Sequence, residues 1–322
     1  MMLRIILCLS LLMGGSALAE TLARPALEMP LSTKAIFLDL DVNEDKVFAV
    51  GERGIILSST DSGKSWKQIK SPVDVTLTGI SFSSKTTGWI VGHESTILQT
   101  TDGGETWVIK RYKPEEERFY MSVNFVSPQQ GYVLGTDGEL WITEDAGETW
   151  KLTLLSVEEW YQNHLFAIEQ ITDTSLVVSE RGGIFYSKDK FSNWQVVPSP
   201  YEGSFFGVNK LAKDFVVFGM SGNLYLLDSE TLEWKKINSK TDQFLLGSAI
   251  TDDAKNLLVV GRGGIILVIN DQGELVNTVE SKSRADYTAL TIHGENVYLS
   301  SMSGGIEKMS ISELTKSDRG GK

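Results

Sequence analysis

Cysteine, histidine and proline are scarce in this sequence: its 322 residues hold one cysteine (Cys8), 3 histidines and 7 prolines. No apolar run reaches the ~18 residues that mark a transmembrane helix, which excludes a helical multi-pass membrane protein. Basic residues number 30 against 42 acidic ones, a net charge of −12, so the electrostatic footprint of a nucleic-acid binder is missing. With 41% hydrophobic residues the chain is too apolar for a disordered tail, and with one cysteine it is no disulfide-stapled mini-protein. What it does have is 30 glycines, 13 phenylalanines, 9 tyrosines and 8 tryptophans. The length could hold two domains, but all-β barrels and propellers fill such lengths as one.

The first nineteen residues read as an address. Arg4, the apolar stretch 5–13 and Ala17-Leu18-Ala19 make a cleaved secretory signal over residues 1–19, with Glu20 as the mature start and the periplasm as the destination. The stretch is about half the ~20 residues that span a bilayer, so an uncleaved anchor is not expected. Cys8 lies inside the apolar core rather than just after it, which is the wrong place for a lipid anchor. Its removal leaves a mature chain without a thiol, excluding disulfide partners, thiolate catalysis and cysteine-bound zinc.

The remainder is one repeat written seven times. Ser59-Thr60-Asp61-Ser62-Gly63-Lys64-Ser65-Trp66 returns as Thr100-Thr101-Asp102-Gly103-Gly104-Glu105-Thr106-Trp107 and as Thr143-Glu144-Asp145-Ala146-Gly147-Glu148-Thr149-Trp150. Weaker copies end at Trp194 and Trp234, and Asp271-Gln272-Gly273 opens a sixth with Val276 in the tryptophan's place. Successive tryptophans stand 41, 43, 44 and 40 residues apart, so five of them occupy one structural position. Before each box comes an apolar run, a Gly-rich turn and a second apolar run, as in 47–51 with 54–57 and 88–92 with 96–98; a further short run precedes each pair.

These are β-rich runs bounded by Gly, Asn, Asp and Ser, without helical periodicity. Four strands at a period of about 43 residues is the arithmetic of a propeller blade. The expectation is an all-β, seven-bladed β-propeller of four-stranded blades over residues 20–312, followed by a polar tail at 313–322. The seventh unit has inner strands around 287–292, 297–301 and 306–311 but no outermost strand after them. Residues 24–31, which have no other role, are expected to supply it and so close the ring, since an open one would expose apolar surface and strand edges.

The box itself reads as structure. Asp61, Asp102 and Asp145 can accept backbone N–H groups across the turn between third and fourth strands. Gly63, Gly104 and Gly147 supply positive φ, and Trp66, Trp107 and Trp150 pack between blades. The phrase resembles the Asp-box of sialidase-like (BNR) propellers. The sequence from Gly88-Trp89-Ile90-Val91-Gly92 through Ile97-Leu98-Gln99 to Trp107 is similar to a repeat of the photosystem II stability/assembly factor-like proteins. That resemblance covers all seven units, is strongest over 34–150 and degenerate from 187 on. It implies a secreted or lumenal seven-bladed propeller that holds membrane-protein subunits during assembly without chemistry of its own.

Sialidases share the box, and the resemblance to them would require an arginine triad, a Tyr/Glu nucleophile pair, an acid Asp and an early Arg-Ile-Pro phrase. Arg-Ile-Pro is missing; the only early Arg-Pro is Arg24-Pro25. Gly63-Lys64-Ser65 lacks the leading glycine of a phosphate loop, with Ser58 in its place, and Gly261-Arg262-Gly263-Gly264 opens no helix. Asp39-Leu40-Asp41-Val42-Asn43 starts like a calcium loop but has Glu44 where glycine belongs, and reads as a solvated turn. His93, His164 and His293 fall in different units without ligand spacing. No catalytic residue, metal or cofactor is expected.

A partner would meet the face that carries the turns between second and third strands and the links between blades. Arg53, His93, Asp137, Arg181 and Arg262 lie in those turns. Arg111, Trp160, Tyr161 and Tyr201 lie in links whose aromatics fall outside the repeat. Arginine and aromatics on a rigid scaffold suit a protein-binding hot spot. The expected function is a non-catalytic periplasmic propeller, monomeric on its own, serving as assembly or accessory factor for a membrane-protein complex of the envelope. The client would be a large exporter-type transporter, or photosystem II in a photosynthetic host; the alternative is a glycan-binding or glycoside-hydrolysing propeller.

Overall fold

The structure, a computed structural model, describes residues 22–158 and 160–315; the leader expected over 1–19 lies outside them. Seven antiparallel sheets follow one another in chain order. Blade one runs from the inner strand Phe37–Asn43 through Lys46–Gly51 and Ile56–Ser59 to the outer strand Lys67–Ile69. The inner strands of the next blades are Leu77–Phe82, Tyr120–Phe125, Leu165–Ile171, Phe205–Leu211, Leu245–Ile250 and Tyr287–His293. This is the seven-bladed all-β propeller that the repeat arithmetic called for.

Burial across each blade explains its sequence. The second strands, such as Gly88–Gly92 and Asp214–Gly219, are apolar with hardly a break because each lies between two neighbouring blades and is covered on both faces. The fourth strands reach solvent and mix polar with apolar residues, as in Val108–Arg111. Between blades the side chains form continuous clusters; Phe48 and Val50 of blade one, for example, pack with Ile90, Leu98 and Trp107 of blade two.

Every inner strand carries one irregularity just after it starts: its pairing with the second strand slips by a residue, as between Phe37 and Asp39 or Leu165 and Ala167. The extra residue is a β-bulge. In the seven blades it is Leu38, Thr78, Met121, Phe166, Phe206, Leu246 and Thr288, and all of these line the axial channel.

Closure differs from the sequence expectation. Among the described residues blade seven has three strands, Tyr287–His293, Asn296–Ser301 and Ile306–Ser310, and residues 24–31 do not complete it. They run instead along the outer strand of blade one: Ala26 N–H donates to Ser71 O (3.1 Å), and Gln68 accepts from Met29 N–H (2.9 Å) while donating to Leu27 O (2.9 Å). Pro25 and Pro30 deprive the segment of ladder donors, and the Gln68 amide satisfies its backbone locally. The ring closes by packing: Tyr298 of blade seven sits in one cluster with Phe37, Leu40 and Leu57, and Thr288 Oγ1 donates to Phe37 O (2.8 Å).

Two further segments depart from their readings. Asp39 and Asp41 belong to the inner strand of blade one, not to a solvated turn. Past residue 312 the chain is in a short helix, Ile311–Thr315, whose Leu314 is buried among residues of blades six and seven.

Candidate protein-binding face

The alternation of antiparallel strands puts the turns between second and third strands on one face with the links between blades. In blades one, four, five and six this turn is a single 3-10 turn whose middle residue adopts left-handed φ: Arg53 (55°), Arg181 (51°), Ser221 (54°) and Gly263 (68°). The glycine that follows lets the link lie directly upon the turn. A Cβ on Gly182 would stand 2.2 Å from Tyr201 O, so backbone occupies the space of any side chain there. Each turn thus braces a link and projects one residue outward.

Three of the expected residues come together where blades three and four meet. The Arg181 guanidinium lies 3.9 Å from the centre of the Tyr161 ring, and the Trp160 ring is 6.0 Å from that of Tyr161. Glu180 fixes this group, its Oε1 accepting from Tyr161 OH (2.9 Å) and from His164 N–H (2.9 Å). That hydrogen bond to a carboxylate raises the Tyr161 phenol above its ordinary pKa. Trp160 itself is 77% exposed, with Val157, three residues earlier, at 42%. A large indole held out in water over an anchored Arg–Tyr stack has the composition of a hot spot.

The other expected residues are dispersed. Arg262 lies 4.7 Å from the Phe244 ring, and Arg53 extends into solvent beside Glu52. The three turn arginines therefore stand on blades one, four and six, each with its own neighbour. Arg111 donates to both oxygens of Glu116 (2.6 Å each), which also takes the Ser95 hydroxyl (2.9 Å); this is a brace within the blade-two link. His93 packs on Phe119, with ring centres 4.6 Å apart, and its burial lowers its pKa against the pull of Glu94. Asp137 offers its backbone N–H to His164 Nδ1 (3.2 Å), joining blades three and four, and Tyr201 packs edge-on against Phe205. Among the described residues no group of three or more His, Cys, Asp or Glu could hold a metal ion.

Sequence reasoning missed the rim of the channel on this same face. Phe166, Phe206 and Phe244 form a row with ring centres 5.3 and 5.9 Å apart, all half-buried, and the bulge residues Leu38, Met121 and Leu246 continue the apolar lining. The signal was legible as apolar doublets at the start of inner strands, Leu165-Phe166, Phe205-Phe206 and Leu245-Leu246. Only one residue of each pair points to the core, and the bulge turns the second into the channel.

Below the rim the channel wall is polar, and its side chains tie blade to blade. Asp39 accepts N–H groups from Leu40 (2.8 Å) and, across the blade boundary, from Ile80 (2.9 Å); Asp41 does the same with Val42 (2.8 Å) and Phe82 (2.7 Å). Burial raises Asp39 to about 7 and Asp41 to about 6, the backbone donors opposing the shift. Glu169 of blade four is likewise raised by burial.

On the opposite face the boxes repeat one geometry. Asp145 Oδ1 accepts from Thr149 N–H (2.8 Å) and from the Thr143 hydroxyl (2.9 Å), and that hydroxyl in turn accepts from Gly147 N–H (2.9 Å). Asp61 and Asp102 are bound alike, and the Ser65 hydroxyl holds Asp61 down at about 2. Gly104 and Gly147 lie against Phe48 and Trp89 of the preceding blade. Blade four keeps the turn without the glycine: Phe191 takes the position at φ 72° and packs on Tyr132, 4.7 Å between ring centres. All the oxygens of these aspartates are spent on the turn itself.

The family described as photosynthesis system II assembly factor YCF48 matches residues 65–318 of this chain. The photosystem II assembly lipoprotein Ycf48 of Picosynechococcus is 32% identical over 222 residues, 68% of this chain and 64% of that protein. The photosystem II assembly protein Ycf48 of Thermosynechococcus vestitus is 30% identical over 212 residues, 65% of this chain and 60% of that one. The match thus spans less than two thirds of either relative. Among solved structures, YCF48 from Cyanidioschyzon merolae superposes with a TM-score of 0.70 at 16% identity, over 90% of this chain and 100% of that one. A structure of YCF48 bound to D1 peptide gives 0.69 at 18% identity, over 90% and 98%. At these identities the structures establish a shared fold.

Proposed function

The chain belongs to the family of the photosystem II assembly factor YCF48, and from that membership we propose that it is a non-catalytic, extracytoplasmic protein-binding propeller that assists assembly of a membrane-protein complex in the cell envelope. Its binding surface is the face of turns and links, centred on Trp160, Tyr161 and Arg181 and continued by the aromatic rim of the channel. The observation that carries this reading is the exposed Trp160 beside an Arg181–Tyr161 stack pinned by Glu180. Sequence repeats do not require those residues; Glu180 pins Tyr161, Arg181 stacks on its ring, and Trp160 stands beside them at the surface. The relatives are assembly factors by name, and one propeller of this fold, YCF48, was solved bound to D1 peptide. A client for the present chain is a membrane protein of its own envelope, with a large exporter-type transporter as one candidate and photosystem II another in a photosynthetic host. Each turn arginine is taken up by its own neighbour, Arg53 by Glu52, Arg181 by Tyr161 and Arg262 by Phe244, which favours this reading over the shared carboxylate grip of a sialidase.

In vivo cross-linking followed by affinity capture from detergent-solubilised envelopes tests this. Capture of one membrane protein, lost with the triple variant Arg181→Ala, Trp160→Ala, Tyr161→Ala, is the expected result; central hot-spot truncations each cost about 2 kcal/mol or more. Equal capture by the triple variant would move the site elsewhere on the ring, and no specific capture would refute the accessory role.

A further inference from the structure

Six of the blades have a fourth strand, and four of these end on the same device. Ile69, Leu155, Val197 and Ile237 follow or close the fourth strands of blades one, three, four and five, and each is no more than 5% exposed. Each plugs the seam to the next blade: Ile69 packs with Leu98 and Trp107, Val197 with Tyr225 and Leu227, Ile237 with Leu267 and Ile269. The plug stands opposite the start of the third strand. Ile69 pairs with Ile56, Val197 N–H donates to Ile184 O (3.0 Å), and Ile237 N–H donates to Leu224 O (2.9 Å).

Blade seven has the lane for this strand without a strand in it among the described residues. Ile306, paired with Ser300, takes the register position of Ile184 and Leu224. By the alternation of an antiparallel ladder, the N–H and C=O of Ile306 and Lys308 point outward from the edge. The next outward donor, Ser310 N–H, is taken by the Glu313 carboxylate (3.1 Å). Where a plug would sit there is a cavity of about 340 Å³ lined by Leu57, Trp66 and Ile306, with Lys34 and Glu307 at its margin. Among the described residues no segment of this chain pairs with that edge. Residues 24–31 are hydrogen-bonded to blade one, Met29 packing against the cluster that Trp66 and Ile306 also touch, and the sequence 316–322 holds no apolar residue.

We propose that the outer edge of blade seven is a strand-addition site, which takes an extended segment of a client polypeptide carrying isoleucine or valine opposite Ile306. The chain's own strands supply the recognition rule. Ile69, Val197 and Ile237 are each preceded by two residues suited to an exposed strand and followed two residues later by a serine (Ser71, Ser199, Ser239) whose hydroxyl donates to a nearby carbonyl and ends the strand. A client segment of that pattern would gain main-chain hydrogen bonds from the edge and specificity from the cavity, as in β-augmentation generally. The site is independent of Trp160, Tyr161 and Arg181.

The probe is a fluorescein-labelled peptide of residues 231–240 of this chain, added to the purified protein. Saturable binding is expected, with the amides of Ile306 and Lys308 exchanging rapidly in the free protein and slowly in the complex, and exchange in residues 156–164 unchanged. Replacing the peptide's isoleucine by aspartate should weaken binding at least tenfold. Lys308→Pro removes the outward N–H without touching the ladder to the second strand and should weaken it up to about tenfold, whereas Lys308→Ala should not. No binding, binding that protects another edge, or slow exchange of Ile306 and Lys308 before peptide is added would each overturn the proposal. The last outcome would assign the edge to a segment of the chain itself. None of these results depends on the Trp160 surface, so failure here leaves the proposed function standing.

Discussion

Gly147→Ala tests whether the boxes are structural keys between blades. The residue has φ +81°, and a Cβ there would lie 2.2 and 2.4 Å from two atoms of the Trp89 indole. Trp89 cannot retreat: it is 1% exposed, stacked on Phe125 at 5.5 Å and met edge-on by Trp150 at 5.8 Å. The left-handed backbone alone costs an alanine about 1–2 kcal/mol, and forcing a methyl into a packed aromatic seam adds about 1–3 kcal/mol. The total is about 2–5 kcal/mol, or a loss of about 4–10 °C in Tm at roughly 2 °C per kcal/mol for a chain of this size. Gly294→Ala is the matched control, with φ +58° and nothing within 4 Å of its Cβ; it pays only the backbone cost, about 2–4 °C. Urea denaturation and calorimetry of both variants separate the two contributions. Equal losses in the two would show that the box glycine is a conformational requirement and no interblade contact, and would refute the packing argument.

Burial lifts Asp39 to about 7 and Asp41 to about 6, so their contribution to stability is full below about pH 4 and is lost as pH rises through 7. Asp61, held at about 2 by the Ser65 hydroxyl, works the other way and loses its contribution as pH falls toward 2. Tm should therefore peak near pH 4 and fall from there toward pH 7, and a Tm that climbs steadily from pH 5 to 8 would contradict the channel-wall assignment. Glu180→Ala frees both Tyr161 OH and His164 N–H; a loss of about 1–3 kcal/mol in stability and weaker cross-linking of the client are expected, and unaltered cross-linking would disconnect this anchor from binding. Deleting residues 22–28 removes the Ala26 and Leu27 hydrogen bonds to blade one at about 1 kcal/mol each. The shortened protein should stay compact and monomeric in light scattering, whereas opening or aggregation would restore a closing role to that segment.

Ring, blade count and box were legible because they are written in repetition. Apolar runs of fixed spacing specify strands, and a tryptophan recurring every 40 to 44 residues specifies equal units. Equal units that each bury a face only against neighbours must close on themselves. Even the degenerate fourth box keeps its Asp189 bonds, to Ser187 and Asn193, after losing the glycine. Trp160 and Tyr161 were also visible, as aromatics outside the repeat, and Arg181 as a turn arginine, although only the fold puts the Arg181 guanidinium on the Tyr161 ring. Other choices depended on contacts between segments distant in sequence. Gln68 claims residues 27–29 for blade one, so among the described residues blade seven is left with an edge. Asp39 and Asp41 find donors forty-one residues away, in Ile80 and Phe82. A bulge in each inner strand turns one residue into the channel and makes an aromatic rim of what reads as core. Periodicity is a local property that the sequence determines by itself; the partner of a polar group and the direction of a bulged side chain exist only once the blades stand side by side.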